Sequence, residues 1–185
     1  MQLAIPSKVK SIAEVCNEAK LQLQSENIKS VVSPSILIAG CGTGQHSIGT
    51  ASHFANSEVT AVDLSRASLA YAQRKTSELG ITNVKYLQAD ILNLGELGQG
   101  FDIIESAGVL HHMNDPMAGW RVLVDLLKTG GLMKIGLYSE LARRHVVKTR
   151  EEIGLRGIGA SEAAIRQFRQ SIVESNDEQH QLLRG

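Results

Sequence analysis

The chain has 185 residues, and nineteen Lys and Arg balance nineteen Asp and Glu, a length that suits one domain of roughly 100–200 residues. Zero net charge and few aromatics (one Trp, three Tyr, three Phe) exclude the basic stripe and stacking platforms that nucleic-acid binding relies on. No apolar run approaches the ~20 residues needed to span a bilayer, and residues 1–30 carry repeated charges without the apolar core of a signal peptide.

Residues 7–28 read as an amphipathic helix, with Val9, Ile12, Val15 or Cys16, Ala19 and Leu23 at spacings of three and four. This helix is expected to pack on one face of a sheet. Ser33-Pro34-Ser35 breaks the pattern. Strands are expected at 36–39, 58–62, 84–88, 101–106 and about 131–138, with helices at about 44–55, 65–80 and 115–128 between them. Ser65 opens the helix over 65–80 and Gly80 closes it. Trp120, on the helix before the fifth strand, is expected in the core. Such alternation reads as βαβ units of a doubly wound, mostly parallel α/β sheet. Right-handed crossovers then put a ligand at the carboxyl ends of the strands, where their order reverses. Residues 139–155 and 161–175 read as two further helices, broken by Gly154, Gly157 and Gly159. The chain thus divides into an N-terminal helical segment over 1–35, a core over 36–140 and a C-terminal helical segment over 141–185.

Within that pattern, the apolar run Ile36-Leu37-Ile38-Ala39 breaks into Gly40-Cys41-Gly42-Thr43-Gly44. Glycines let a backbone turn sharply and approach a ligand with no Cβ in the way. Nineteen residues after Gly44, the run Val59-Thr60-Ala61-Val62 ends in Asp63, an acid able to accept from both hydroxyls of a ribose. Together these read as a holder for an adenosine. The dinucleotide fingerprint needs a third glycine where Gln45 stands, which argues against a nicotinamide cofactor. The glycine loop, Asp63, Asp90 and the loop holding His111 and His112 all follow strands and are expected to share one sheet edge. Cys16 and Cys41 are the only cysteines. A disulfide between them would pull the loop from its ligand, so they point to a reduced, cytoplasmic protein. Cys41, near a helix start, has a lowered thiol pKa as its sharper reading and a small residue in a tight space as its plain one.

Gly40-Cys41-Gly42-Thr43-Gly44 resembles motif I of the S-adenosylmethionine-dependent methyltransferases of the Rossmann-like type. Val62-Asp63-Leu64-Ser65 and Leu87-Gln88-Ala89-Asp90-Ile91 resemble the acidic motifs after the second and third strands. Phe101-Asp102-Ile103-Ile104, Val109-Leu110-His111-His112-Met113-Asn114-Asp115-Pro116 and Leu126-Leu127-Lys128-Thr129-Gly130-Gly131-Leu132-Met133 look like the fourth strand, its loop and the turn into the fifth. The wording is similar to that of bacterial methyltransferases joined to tetratricopeptide repeats, although the chain contains no such repeat.

The resemblance covers about residues 33–140 and implies S-adenosyl-L-methionine as cofactor and no metal. It implies that Gly40, Cys41, Gly42, Thr43 and Gly44 line the methionine and ribose part, with His46 at the cofactor edge. Asp63 would bind the ribose hydroxyls, Leu64 the adenine face, Asp90 and the Ile91 N–H the adenine edge, and the Ser106 carbonyl the ammonium. For Asp63 a helix cap beside Ser65, and for Asp90 a turn or cap, are the competing roles. His111, then His112, are the candidate catalytic bases, against a structural role in the cofactor shell. Tyr138, at the end of the fifth strand, is a candidate substrate contact. The N-terminal helix is alternatively a lid.

No Asn-Pro-Pro-Tyr or Asp-Pro-Pro-Tyr run, the signature of enzymes that methylate amino groups of adenine, cytosine or glutamine, follows the fourth strand. Glu105 stands without the paired glutamate of arginine methylation, so a small-molecule acceptor leads and a protein acceptor follows. No run after Ser139 supplies the two further strands of the family's sheet. Either the chain is a fragment or the C-terminal helices take over the covering role. The fifth strand is then an edge that a homodimer or a partner domain would cover. A cofactor-binding module without catalysis is the alternative function.

Overall fold

Ile36, Leu37, Ile38 and Ala39 are each at most 1 % exposed. A strand so uniformly apolar is buried on both faces, as the middle strand of a parallel sheet must be. In the computed structural model, which describes residues 11–22, 28, 30–54, 56–139 and 141–183, this strand is β1 (Ser35–Ala39). It pairs in parallel with β2 (Glu58–Asp63) on one side and β4 (Phe101–Ala107) on the other. β3 (Val84–Gln88) continues beyond β2 and β5 (Leu127–Gly136) beyond β4, both parallel. The order β3-β2-β1-β4-β5 is that of a doubly wound Rossmann-like sheet. Its order reverses between β1 and β4, which opens a crevice at their carboxyl ends.

Side chains alternate across a strand, so the two faces carry separate cores. Ile36, Ile38 and Ile103 pack with Ile12 and Cys16 of α1 (Ile12–Glu18) and with Ala51 of α2 (Gln45–His53). Leu37, Ala39 and Ile104 pack with Leu123 of α4 (Pro116–Asp125), a cluster that Trp120 also joins. Between α2 and α4 in the chain lies α3 (Arg66–Glu78), whose cap Ser65 accepts from the Ser68 N–H at 3.2 Å. Asp115 caps α4 by accepting from Met117 and Ala118 N–H at 2.9 and 3.1 Å, with Pro116 at the first helical position.

Two boundaries of the core differ from expectation for a visible reason, and the helix expected over 139–155 begins at Arg144. The helix expected over 7–28 stops at Glu18, because Lys20 takes a left-handed φ of 55° and Leu21 N–H closes back on the Cys16 carbonyl at 2.8 Å. Residues 7–10, 23–27 and 29 of that stretch, with Val9 and Leu23, lie outside the described residues. The helix that is present buries Ile12 and Cys16 in the core, so α1 is a packed element and not a lid. Strand five was expected over 131–138 and runs from Leu127 to Gly136. Leu127 already pairs with Phe101, and the register then shifts between Phe101 and Ile103, so the chain passes its glycines as an irregularity inside the strand. Gly131 is confined there, since a Cβ would stand 2.9 Å from the Asp102 carbonyl oxygen. Tyr138 therefore lies beyond β5 and not at its end.

At the amino end of the sheet, Asp102 Oδ2 accepts from Ser35 N–H (2.9 Å), Ser35 Oγ (2.8 Å) and Lys128 Nζ (3.0 Å). One buried carboxylate thus ties β1, β4 and β5. Among the described residues β5 pairs with β4 alone, and it carries exposed Lys128 and Lys134, the charges that edge strands use against unwanted pairing.

Met1–Leu137 form one compact unit and Tyr138–Gly185 a second. The second holds α5 (Arg144–Leu155), α6 (Glu162–Glu174) and the short α7 (Glu178–Gln181), where His180 Nε2 meets Glu152 Oε2 at 2.8 Å. Within it the Tyr138 ring lies 4.0 Å from the Arg143 guanidinium. No helix of the described residues is long and apolar enough to cross a membrane.

Candidate functional site

The loop after β1 is held from β2. The Gly40 and Cys41 N–H groups both donate to the Val62 carbonyl at 2.9 Å, and Gly42 N–H donates to Asp63 Oδ2 at 2.8 Å. The three glycines take positive φ of 81°, 53° and 88°, yet they do different work. A Cβ on Gly40 would stand 2.2 Å from Val109 Cγ2, and one on Gly44 would stand 2.6 Å from Ala72 Cβ. Those two admit neighbouring protein, from the loop after β4 and from α3. A Cβ on Gly42 would meet nothing within 4 Å, so this glycine is the one that faces open space. Thr43, at the loop tip, is exposed.

Asp63, at the carboxyl end of β2, also accepts from Ser65 N–H through Oδ1 at 2.8 Å. It combines the turn role with a bond to the glycine loop. A carboxylate has about four acceptor positions, so two remain after the Gly42 and Ser65 bonds. Next to it is a cavity of about 200 Å³ lined by Gly40, Asp63, Leu64, Asp90, Ile91 and His112. A wider cavity of about 520 Å³ adjoins it past Leu64 and Asp90, reaching Asn93 and Glu96. Asp90 caps the 3-10 turn Ile91–Leu97 by accepting from Leu92 N–H at 3.0 Å through Oδ1. The capping role considered for Asp90 is thus present, and its Oδ2 accepts no hydrogen bond among the described residues.

After β4, Val109 seated on Gly40 brings the 3-10 turn Leu110–His112 beside the glycine loop. The rings of His111 and His112 stand 4.2 Å apart. Of the two, His112 lines the smaller cavity. Ser106 is 1 % exposed, and its Oγ has no partner among the described residues.

Beside the glycine loop lies a pair that the sequence reading missed. Glu105, in the middle of the register between Ile38 and Lys134, takes His46 Nε2 at 2.5 Å and Thr50 Oγ1 at 3.0 Å on its Oε2. Burial pushes the Glu105 carboxyl up, but the His46 hydrogen bond and charge, Lys134 and Thr50 outweigh it and leave the group below its usual range. The available signal was a second acid, Glu105, inside the apolar strand Phe101-Asp102-Ile103-Ile104-Glu105, where burial demands a partner.

The glycine loop, Asp63, Asp90 and the His loop therefore meet at one edge of the sheet. A family model described as a methyltransferase domain matches residues 36–131, half of the chain. The chain belongs to this methyltransferase family. An uncharacterized protein from Synechococcus sp. is 36 % identical over 66 % of this chain and 30 % of its own length. (S)-coclaurine N-methyltransferase from Papaver somniferum is 31 % identical over 62 % of this chain and 32 % of its own. Among solved structures, an S-adenosylmethionine-dependent methyltransferase from Clostridium acetobutylicum superposes with a TM-score of 0.54 at 26 % identity, over 72 % of this chain and 51 % of that one. The chain spans about a third of the length of these two curated relatives.

In this methyltransferase domain Cys41 is 6 % exposed. Burial, then the Asp63 charge, push its thiol up to about 12, which overturns the activated-thiol reading and leaves the plain one. Among the described residues no cluster of His, Cys, Asp and Glu is placed to hold a metal.

Proposed function

We propose that the chain is an S-adenosylmethionine-dependent methyltransferase domain acting on a small-molecule acceptor. The observation that carries this is Asp63. It closes the glycine loop through Gly42 N–H while keeping two acceptor positions at the mouth of a cavity, an acceptor pair that suits two vicinal hydroxyls. Similarity to the Papaver N-methyltransferase and the Clostridium methyltransferase supports methyl transfer as the class of reaction.

In this reading Asp63 accepts from the ribose hydroxyls and Leu64, 65 % exposed, covers the adenine. Asp90 Oδ2 and the Ile91 N–H read the adenine edge. Gly40, Cys41, Gly42, Thr43 and Gly44 form the cradle beneath the methionine part, where Gly42 has room for it. When bound there, the cofactor supplies a methyl group already activated on a cationic sulfur. The residues around it therefore act by alignment, which alone lowers a barrier by several kcal/mol. In this reading His112 takes a proton from an acceptor that must lose one, with the His111 ring tilted against it. A cytoplasmic setting, a tie to tetratricopeptide-repeat methyltransferases, and a second copy or partner domain over the β5 edge belong to the same proposal.

Titration calorimetry with S-adenosylmethionine, S-adenosylhomocysteine and NAD tests the reading. The two sulfur nucleosides should bind and NAD should not. Failure of both sulfur nucleosides refutes the proposal, and methyl transfer across a panel of amines, phenols and carboxylates then identifies the acceptor.

A further inference from the structure

Among the described residues two carboxylates are buried, Asp102 and Glu105. Asp102 is spent at the amino end of the sheet on Ser35 and Lys128. Glu105 stands toward the opposite end, two residues before the close of β4. Both of its contacts fall on Oε2, from His46 and Thr50 of α2. Oε1 accepts no hydrogen bond among the described residues, and Lys134 acts on the group through charge without touching it. Oε1 is not among the buried atoms that lack a partner, so it keeps an opening through which a ligand's donor can reach it.

The strand order says what would satisfy it. β1 lies between β2 and β4. If Asp63 on β2 and Asp90 after β3 take the adenosine, the amino-acid end of the cofactor must cross the glycine loop toward β4. The acid waiting on β4 is Glu105. We infer that Glu105 Oε1 receives the ammonium of the cofactor's amino-acid end, while His46 and Thr50 hold Oε2 in place; this rests on the S-adenosylmethionine reading above. An ammonium brings three donors and a full positive charge, and such a charge-assisted bond is strong where water is scarce. Because Glu105 is held below the usual carboxylate range, it is anionic at neutral pH and suited to that partner. His46 and Thr50 are then positioning residues: they orient the acid and leave the ligand to it.

A purely structural role, clamping α2 to β4, predicts otherwise, and ligand dissection separates the two. Calorimetry of the full chain would compare S-adenosylhomocysteine with methylthioadenosine, which lacks the amino-acid end, on the wild type and on Glu105→Gln. Glu105→Gln should weaken S-adenosylhomocysteine by about tenfold or more and leave methylthioadenosine unchanged. Equal losses for both ligands, or no loss for either, overturn the inference. A readout that needs no variant is N-acetyl-S-adenosylhomocysteine on the wild type. Removal of the ammonium should cost about tenfold, and undiminished affinity overturns the assignment. If the wild type binds neither S-adenosylhomocysteine nor methylthioadenosine, the cofactor reading itself has failed. If it binds both and does not discriminate on the ammonium, only the Glu105 assignment has failed.

Discussion

Asp63 carries two structural bonds and is left with two acceptor positions, so its loss should register twice. Asp63→Ala removes the acceptor of Gly42 N–H and of Ser65 N–H. We expect S-adenosylhomocysteine affinity to fall by more than about 1 kcal/mol, with a lower melting temperature in the same preparation. Unchanged affinity by calorimetry would show that the ribose assignment is wrong. The glycines give a finer test. Gly40→Ala and Gly44→Ala add a Cβ 2.2 Å from Val109 and 2.6 Å from Ala72, whereas Gly42→Ala meets open space. All three incur left-handed strain of about 1–2 kcal/mol, and the first two add overpacking of about 1–3 kcal/mol. Urea melts should therefore rank Gly42→Ala as the most stable of the three, while its added methyl lies where a ligand would. The spacing from Gly44 to Asp63 made the loop and its acid legible in the sequence. The division of labour among the glycines was not legible, because Val109 and Ala72 lie far along the chain. For the same reason His46 read as an edge residue: its partner Glu105 is brought to it only by the fold.

At the scale of elements, the strands and helices of the core followed the alternation of apolar runs, and two boundaries did not. The period of three and four continued through Ala19, but Lys20 turned the backbone. β5 began early because its pairing with Phe101 depends on β4 and not on its own glycines. The carboxylates that tie strands together give these elements a pH dependence. Burial pushes the Asp102 carboxyl up, and bonds from Ser35 and Lys128 overcome this and leave it below its usual range; Glu105 is lowered likewise. Near the ordinary values of about 3.9 and 4.3, the unfolded chain binds more protons than the folded one. The stabilisation is therefore present above about pH 4 and is lost as pH falls through the folded pKa values. Asp102→Asn should lower stability at neutral pH and flatten the loss between about pH 4 and pH 2. Denaturant melts across that range check it, and a wild-type slope retained in the variant would contradict the assignment.

On the scale of the whole molecule, every residue of the candidate cradle falls within Met1–Leu137, on the face where the order of the strands reverses. The doubly wound topology was legible because β1, β2 and β4 are short apolar runs closed by turn signals and helical segments lie between the strands. The helical character of the segment after Ser139 was legible as well, from the lack of any alternating run. What the acceptor is has no such signature, since specificity resides in loops and added segments and not in the fold. The central claim is that this edge of the sheet holds S-adenosylmethionine. Titration calorimetry of the full chain with S-adenosylhomocysteine tests it most directly. One molecule should bind per chain, in competition with S-adenosylmethionine and not with NAD. An absence of binding heat, with no thermal stabilisation at saturating ligand, would contradict the account.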